Sequence, residues 1–147
     1  VDAVRDPGNL GTLLRSAAAA GVQAVLLTPG TTNAFAPKVL RAGMGAHFRL
    51  PLHSLGWAEI PALLKSRTQP PAQIYLAEAS GGRPYWQADL TRPLALVVGN
   101  EAEGASPAAH QACDASLSIP MPGRSESLNA AIAASILLFE VVRQRNP

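Results

Sequence analysis

Three segments of the chain concentrate side chains that could do chemistry. The first is Asp6-Pro7-Gly8-Asn9-Leu10-Gly11-Thr12-Leu13-Leu14-Arg15-Ser16. Asp followed by Pro marks a helix start, with the Asp oxygen free to cap and the Pro at a position that needs no N–H. Gly8 and Gly11 let a backbone or ligand come close, and free N–H groups at a helix start favour an anion. Asn9 could bind a ligand or serve the helix start only. Arg15, on an otherwise apolar helix, needs a carboxylate, a phosphate or an exposed edge. The second segment, Gly99-Asn100-Glu101-Ala102-Glu103-Gly104, leaves the run Leu94–Val98. It places two carboxylates where α/β folds hold ligands, unless it is a flexible turn. Glu101, nearer the strand end, is the more constrained of the two and could pair with Arg15. The third, Ile119-Pro120-Met121-Pro122-Gly123-Arg124-Ser125-Glu126-Ser127-Leu128-Asn129, stiffens the chain with two prolines and then opens a helix. Ser125 is the expected N-cap there. Ser127 and Asn129 would fall in the first helical turn, where polar groups bond locally or face a site.

These segments need a scaffold, and the rest of the chain supplies its pattern. Continuous aliphatic runs at 22–28, 74–77 and 94–99 read as strands buried on both faces, as in a parallel sheet. Weaker runs lie at 48–52 and 115–119, and Val1 to Arg5 reads as the stump of a first strand with a segment expected upstream. Helical patterns fall between them: 7–20 closed by Gly21, 37–43, 55–67, 107–112 and 125–145. Along the last, Leu128, Ile132, Ile136 and Phe139 recur at helical spacing, but the other faces are apolar too. Such a helix is buried or shared with a partner chain. Strands alternating with helices predict an α/β fold with a parallel sheet flanked by helices, as a single domain over 1–147.

Composition narrows the function classes. Apolar residues make up 48% and charged residues 15%, too little charge for a disordered chain and enough apolar material for a core that must be aliphatic, since aromatics are 5%. Of the 12 basic residues only Lys38 and Lys65 are lysine, and Arg suits bidentate phosphate contacts. The net charge of +2 shows no obvious basic patch, so Arg41, Arg49, Arg83 and Arg124 are only local candidates for phosphate contact. A single cysteine, Cys113, rules out a disulfide framework and points to a buried thiol in a reducing compartment. His47, His53 and His110 have no metal-ligand spacing, and no metal site is expected. There is neither a membrane-length apolar run nor a signal-peptide pattern. No Walker lysine, GxGxxG or GxSxG is present. Trp57, Tyr85 and Trp86 are expected to be packing residues rather than a base-stacking platform.

Together the three segments resemble the SpoU/TrmH-type RNA ribose 2′-O-methyltransferases of the SPOUT superfamily. The first motif is Asn9, Arg15 and Gly21 in their DPGNxGxxxR setting; the second is Val98 to Gly104; the third runs from Ile119 to Asn129 and on to Ala133, Ile136 and Glu140. The stretch Pro37 to Ala46, with Arg49-Leu50-Pro51, is similar to the family's second helix and third strand. The resemblance covers essentially the whole chain. It implies a C-terminal deep trefoil knot, a homodimer through the knot and last helix, and a cytoplasmic protein that needs no metal. It implies S-adenosylmethionine held mostly by main-chain groups of Leu76, Ala77, Glu78, Gly99, Asn100, Gly104, Ile119, Met121, Ser127 and Leu128. It implies Asn9, Arg15, Glu101, Ser127 and Asn129 as catalytic residues, with Arg15 coming from the partner subunit, and methyl transfer to a ribose 2′-OH of rRNA or tRNA. Family members often carry an RNA-binding domain ahead of the first motif. A guanidinium stays protonated at accessible pH, so Arg15 is expected to clamp phosphate and stabilise alkoxide charge, with Glu101 orienting it. The competing readings are a non-catalytic knotted RNA-binding or assembly module and a different nucleotide-binding α/β domain.

Overall fold

The computed structural model describes residues 1–123 and 126–146. Helix α1 (Pro7–Ala19) begins as its sequence dictates: the Asp6 carboxylate accepts the Asn9 N–H at 2.7 Å and Pro7 holds the first helical position. Strand β1 (Val25–Leu27) follows, then α2 (Pro37–Gly43) and a 3-10 turn at Ala46–Phe48. Next come β2 (Leu52–Ser54), α3 (Ile60–Arg67), β3 (Gln73–Glu78), β4 (Arg83–Pro84) and a 3-10 turn at Tyr85–Gln87. The chain ends with β5 (Leu94–Val97), α4 (Pro107–Ala112), β6 (Ala115–Ser118) and α5 (Ala130–Arg145).

All strand pairings are parallel, in two sheets: β1-β2, and β4-β6-β3-β5 in that order. The expected α/β class with parallel sheets flanked by helices therefore holds, though the sheet is divided. Residues 1–4 lie between β1 and β5 and join the two parts. The Val1 nitrogen donates to the Leu26 carbonyl, Thr28 N–H to the Val1 carbonyl, and Asp2 N–H to the Val98 carbonyl, at 2.7, 3.1 and 2.8 Å. They do not form the expected strand, because Ala3 turns the chain into the left-handed region at φ 53°. Beside them β1 and β5 flank an apolar cleft of about 1320 Å³, lined by Leu26, Leu94, Leu96 and Leu138 among others. This cleft explains why Leu94, Ala95 and Leu96 are only half-buried.

Four further boundaries differ from the sequence reading. The run 48–52 is not a strand: Ala46–Phe48 closes as a 3-10 turn and pairing starts at Leu52. Helix α3 starts at Ile60 rather than 55 because Gly56, Trp57 and Ala58 form a turn fixed by Glu59, whose carboxylate accepts the Gly56 N–H at 3.2 Å. The two-residue β4 is too short to show periodicity. Helix α5 starts at Ala130, so Ser127 and Asn129 precede it, and Asn129 is its N-cap. Ser125, the expected cap, lies outside the described residues, as does Arg124.

The core is aliphatic, as composition required. Val4, Leu10, Leu14 and Val39 form one cluster, Ile74, Leu76, Val97 and Ala109 another. Helix α1 meets α2 at backbone distance: a Cβ on Gly11 would stand 2.5 Å from Ala42 Cβ and 2.7 Å from the Val39 carbonyl. Its other flank meets α5, where Ser135 Oγ hydrogen-bonds Ser16 Oγ at 2.7 Å. The C-terminal half of α5 hooks onto the chain at 88–92 through Gln144 and Arg145. Trp57 packs as expected, its indole N–H donating to Asp2, but Trp86 is 51% exposed, its ring edge-on to Tyr85.

Candidate active site

Strands β6, β3 and β5 are neighbours and parallel, so their carboxyl ends open on one side of the sheet. That edge is where α/β sheets present loops to ligands. The second segment leaves β5 there and the third leaves β6; α1 brings the first alongside. The result is a continuous hydrogen-bonded chain from three loops. Asn9 Nδ2 donates to Glu101 Oε1 at 2.9 Å, and Asn129 Nδ2 donates to Asn9 Oδ1 at 2.8 Å. Asn129 Oδ1 in turn accepts the N–H groups of Ala131 and Ile132, at 2.9 and 3.2 Å.

Chemistry fixes the direction of this chain at both ends. An ionised carboxylate only accepts, so Asn9 must turn its NH₂ to Glu101. Free N–H groups at a helix start only donate, so Asn129 must turn its oxygen to α5. The two amides between can then be oriented in one way only. Glu101 and Asn129 are both exposed, and the outer faces of the row are open to solvent.

The second segment is shaped from within. Asn100 N–H and carbonyl pair with Gly104 in both directions, at 2.9 and 3.0 Å, and its side-chain oxygen accepts the N–H groups of Ala102 and Glu103. Its NH₂ donates to the Ala3 carbonyl at 2.8 Å. The Asn100 side chain is thus engaged in closing its own loop. A Cβ at Gly99 would meet Gly104 carbonyl carbon at 2.6 Å, so that glycine admits the folded-back loop. Glu103 forms an exposed ion pair with Arg5, which leaves Glu101 to Asn9.

Asp2 anchors the far end of that loop, and sequence reasoning missed it. Its carboxylate accepts from Thr28 Oγ1, Trp57 Nε1 and the Ser106 N–H at 2.9, 2.8 and 2.7 Å. Burial alone would raise its pKa, but the hydrogen bonds from Ser106, Trp57 and Thr28 outweigh burial and hold it below the ordinary value. The only signal was an acid in an apolar run, its partners 26, 55 and 104 residues away.

The remaining candidates fall into two groups. Leu76, Ala77 and Glu78 end β3, and Ile119 and Met121 follow β6, beside the Asn9–Glu101–Asn129 row in sheet order. Leu76 is 1% exposed and built into the core, so main-chain groups are what that strand end offers a ligand. Ile119 and Met121 are half-buried and Leu128 is 37% exposed, an apolar surface suited to a planar ring. Glu78 faces His110 at 3.7 Å, and Ser127 is exposed beside the row.

Arg15 is not brought to Glu101 within the chain. Six residues beyond Asn9, it points about 240° round the helix. It lies on the exposed stripe of Thr12, Arg15 and Ala19 and pairs with no described residue. Arg41 and Arg49 sit exposed on α2 and just after the first 3-10 turn, while Arg83 is on β4, the outer strand of its sheet. His47 is a structural residue: its Nε2 is 2.7 Å from the Ala34 carbonyl. Among the described residues no group of three or more His, Cys, Asp or Glu could hold a metal ion, and no helix is long and apolar enough to cross a membrane.

This geometry has known counterparts. The profile of the SpoU rRNA Methylase family matches residues 1–139. The Bacillus subtilis 23S rRNA (guanosine(2553)-2'-O)-methyltransferase RlmP is 39% identical over 141 residues, covering 96% of this chain and 56% of that protein. The Xylella fastidiosa 23S rRNA (guanosine-2'-O-)-methyltransferase RlmB is 39% identical over 145 residues, covering 99% and 57%. Among solved structures, the SpoU methyltransferase AviRb from Streptomyces viridochromogenes, in complex with AdoMet, superposes with a TM-score of 0.92 at 35% identity, covering 98% of this chain and 56% of that one. The A. aeolicus TrmH/SpoU tRNA modifying enzyme superposes at 0.81 with 28% identity, covering 97% and 71%. The chain spans about half the length of the curated relatives it matches. With its three motif loops gathered at one sheet edge, the chain belongs to the SpoU rRNA methylase family.

Proposed function

We propose that this chain is the catalytic domain of an S-adenosylmethionine-dependent methyltransferase that acts on a ribose 2′-OH of structured RNA, ribosomal or transfer. The observation that carries the reading is the row Glu101–Asn9–Asn129, assembled from three distant loops beside three strand ends. The relatives named as 23S rRNA 2′-O-methyltransferases and the AdoMet-bound AviRb support it. The residues present suit the cofactor: main-chain groups at the ends of β3, β5 and β6, flanked by the apolar surfaces of Ile119, Met121 and Leu128. When bound, it would supply an electrophilic methyl on a positively charged sulfur. Asn9 and Asn129 then orient the ribose, and Glu101 holds Asn9. The exposed guanidinium of Arg15 clamps phosphate and stabilises charge on the 2′-oxygen.

The same reading extends to the assembly. Arg15 faces away from its own row, and this supports its delivery to the site of a second copy. Ile132 and Phe139 of α5, 52% and 49% exposed, supply an apolar face for that homodimer. A C-terminal trefoil knot is supported by the crowding of β6 against the loop before β4. There a Cβ on Gly82 would stand 2.8 Å from Leu117 carbonyl carbon, and Ser118 Oγ donates to the Gly82 carbonyl at 2.8 Å.

Calorimetric titration with S-adenosylmethionine and S-adenosylhomocysteine tests the reading, followed by transfer of a radiolabelled methyl group to rRNA or tRNA. Micromolar binding, about −8 kcal/mol at 1 μM, and label on ribose are expected. A folded sample that binds neither compound overturns the proposal. Binding without transfer, on RNA bearing the acceptor nucleotides, would leave a non-catalytic RNA-binding module.

A further inference from the structure

Residues 7–58 contain Arg15, Lys38, Arg41 and Arg49 and no Asp or Glu, a charge of +4 where the whole chain has +2. The modest net charge therefore hides a strong asymmetry, and the expectation of no basic patch needs correction. Lys38, Arg41 and Arg49 are all exposed, and none pairs with an acid among the described residues. Between them the surface is apolar: Phe48 is 94% exposed, Met44 65%, Phe35 63% and Leu40 41%.

The backbone holds these side chains outward. Met44 takes a left-handed φ of 47°, costly for a residue with a side chain, and Gly45 follows at φ 80°. The chain then turns through Phe48, whose N–H donates to the Gly45 carbonyl at 3.2 Å, while Ala46 and Leu50 on either side are anchored in the core. Phe35 is set by the Asn33 side chain, which accepts its N–H at 2.9 Å, and its ring lies 5.6 Å from the His47 ring. His47 ties that loop to the 3-10 turn through Ala34.

Exposed aromatic and thioether surface beside unpaired cations is the chemistry of unpaired nucleotides. Rings stack on base faces, and those faces are available only where bases leave a helix. The cations meet phosphate. A protein partner would have to match the three exposed cations Lys38, Arg41 and Arg49, none of which pairs with a carboxylate among the described residues. We propose that Phe35, Met44 and Phe48, with Lys38, Arg41 and Arg49, bind an unpaired stretch of the RNA substrate. This rests on the RNA-modifying reading above.

Fluorescence anisotropy with a single-stranded 12-nucleotide RNA and a blunt duplex of equal length tests it on the whole chain. Phe48→Ala removes a solvent-exposed ring and leaves the core untouched. It should weaken single-strand binding roughly 5- to 100-fold with the salt dependence unchanged. Arg49→Gln should instead lower the slope of log K against log salt by about 0.7. The duplex should lose little with Phe48→Ala. If both variants bind the single strand like the parent, or the parent does not bind it at all, the proposal fails. A Phe48→Ala change that shifts the sedimentation coefficient and leaves RNA binding intact would reassign the patch to self-association. Titration with S-adenosylmethionine separates this outcome from failure of the enzyme reading, since neither variant touches the strand ends.

Discussion

Asn9 is the side chain on which the three motif loops depend, and its replacement is the sharpest test of the site. Asn9→Ala removes the donor to Glu101 and the acceptor for Asn129. The bond to a carboxylate contributes about 1.5 kcal/mol and the amide–amide bond about 1 kcal/mol. Solvent satisfies the stranded groups, so the loss in folding stability should be nearer 1 kcal/mol. If catalysis needs the row intact, the full 2.5 kcal/mol or so appears in the barrier, on the order of a 70-fold loss of rate. Asn9→Asp is more telling. It keeps the size and the acceptor for Asn129 but turns a second carboxylate on Glu101. Two carboxylates at hydrogen-bond distance repel, so at pH 8 it should be less stable than Asn9→Ala. Chemical denaturation at that pH, with radiolabel transfer for the rate, measures both. If Asn9→Asp matches or exceeds Asn9→Ala at pH 8, Asn9 is not a donor to Glu101 and the orientation of the row is wrong.

Three other expectations follow from the packing. Gly11→Ala drives a methyl into the α1–α2 contact, against Ala42 and the Val39 carbonyl. It should cost about 2 kcal/mol or more, read as a lowered denaturation midpoint; an unchanged midpoint would mean the helices can separate freely. Glu140, gripped by Arg143 and Gln144, has its pKa held down to about 2. A depressed carboxyl stabilises above its unfolded pKa and loses that contribution as pH falls through its folded one. Glu140→Gln should therefore cost about 1 to 2 kcal/mol at pH 7 and progressively less from pH 4.5 toward 2, seen in urea midpoints. Cys113, its thiol pushed up to about 11 chiefly by burial and also by Asp114, should react with iodoacetamide at pH 8 at least tenfold more slowly than free cysteine; a matching rate would show α4 opening readily.

Much of this molecule was legible because its signals are local. The Asp6-Pro7 start of α1, the Pro37 and Pro107 starts of α2 and α4, and the aliphatic runs of β3, β5 and β6 all follow from neighbours in sequence. What was misread depended on distant partners. Asn129 was placed inside a helix because nothing nearby revealed that its side chain would cap α5 and reach Asn9. Within one chain Arg15 does not reach Glu101, because helix rotation turns the guanidinium away and Asn9 donates to the carboxylate. Asp2 drew no reading of its own within the expected strand stump Val1 to Arg5, since its three donors come from remote segments. Charge summed over the whole chain concealed the basic stretch 7–58, which a windowed sum would have found.

The row of three side chains also sets an order in time. Asn9 is separated by 92 residues from Glu101 and by 120 from Asn129. At a synthesis rate of roughly 5–20 residues per second, Asn9 emerges about 6 to 24 s before the amide that completes its hydrogen bonds. Until then α1 can form, but the row across the three motifs cannot close. In a nascent chain the row therefore stays incomplete until every residue up to Asn129 has been read, and the first motif waits unpaired for the third.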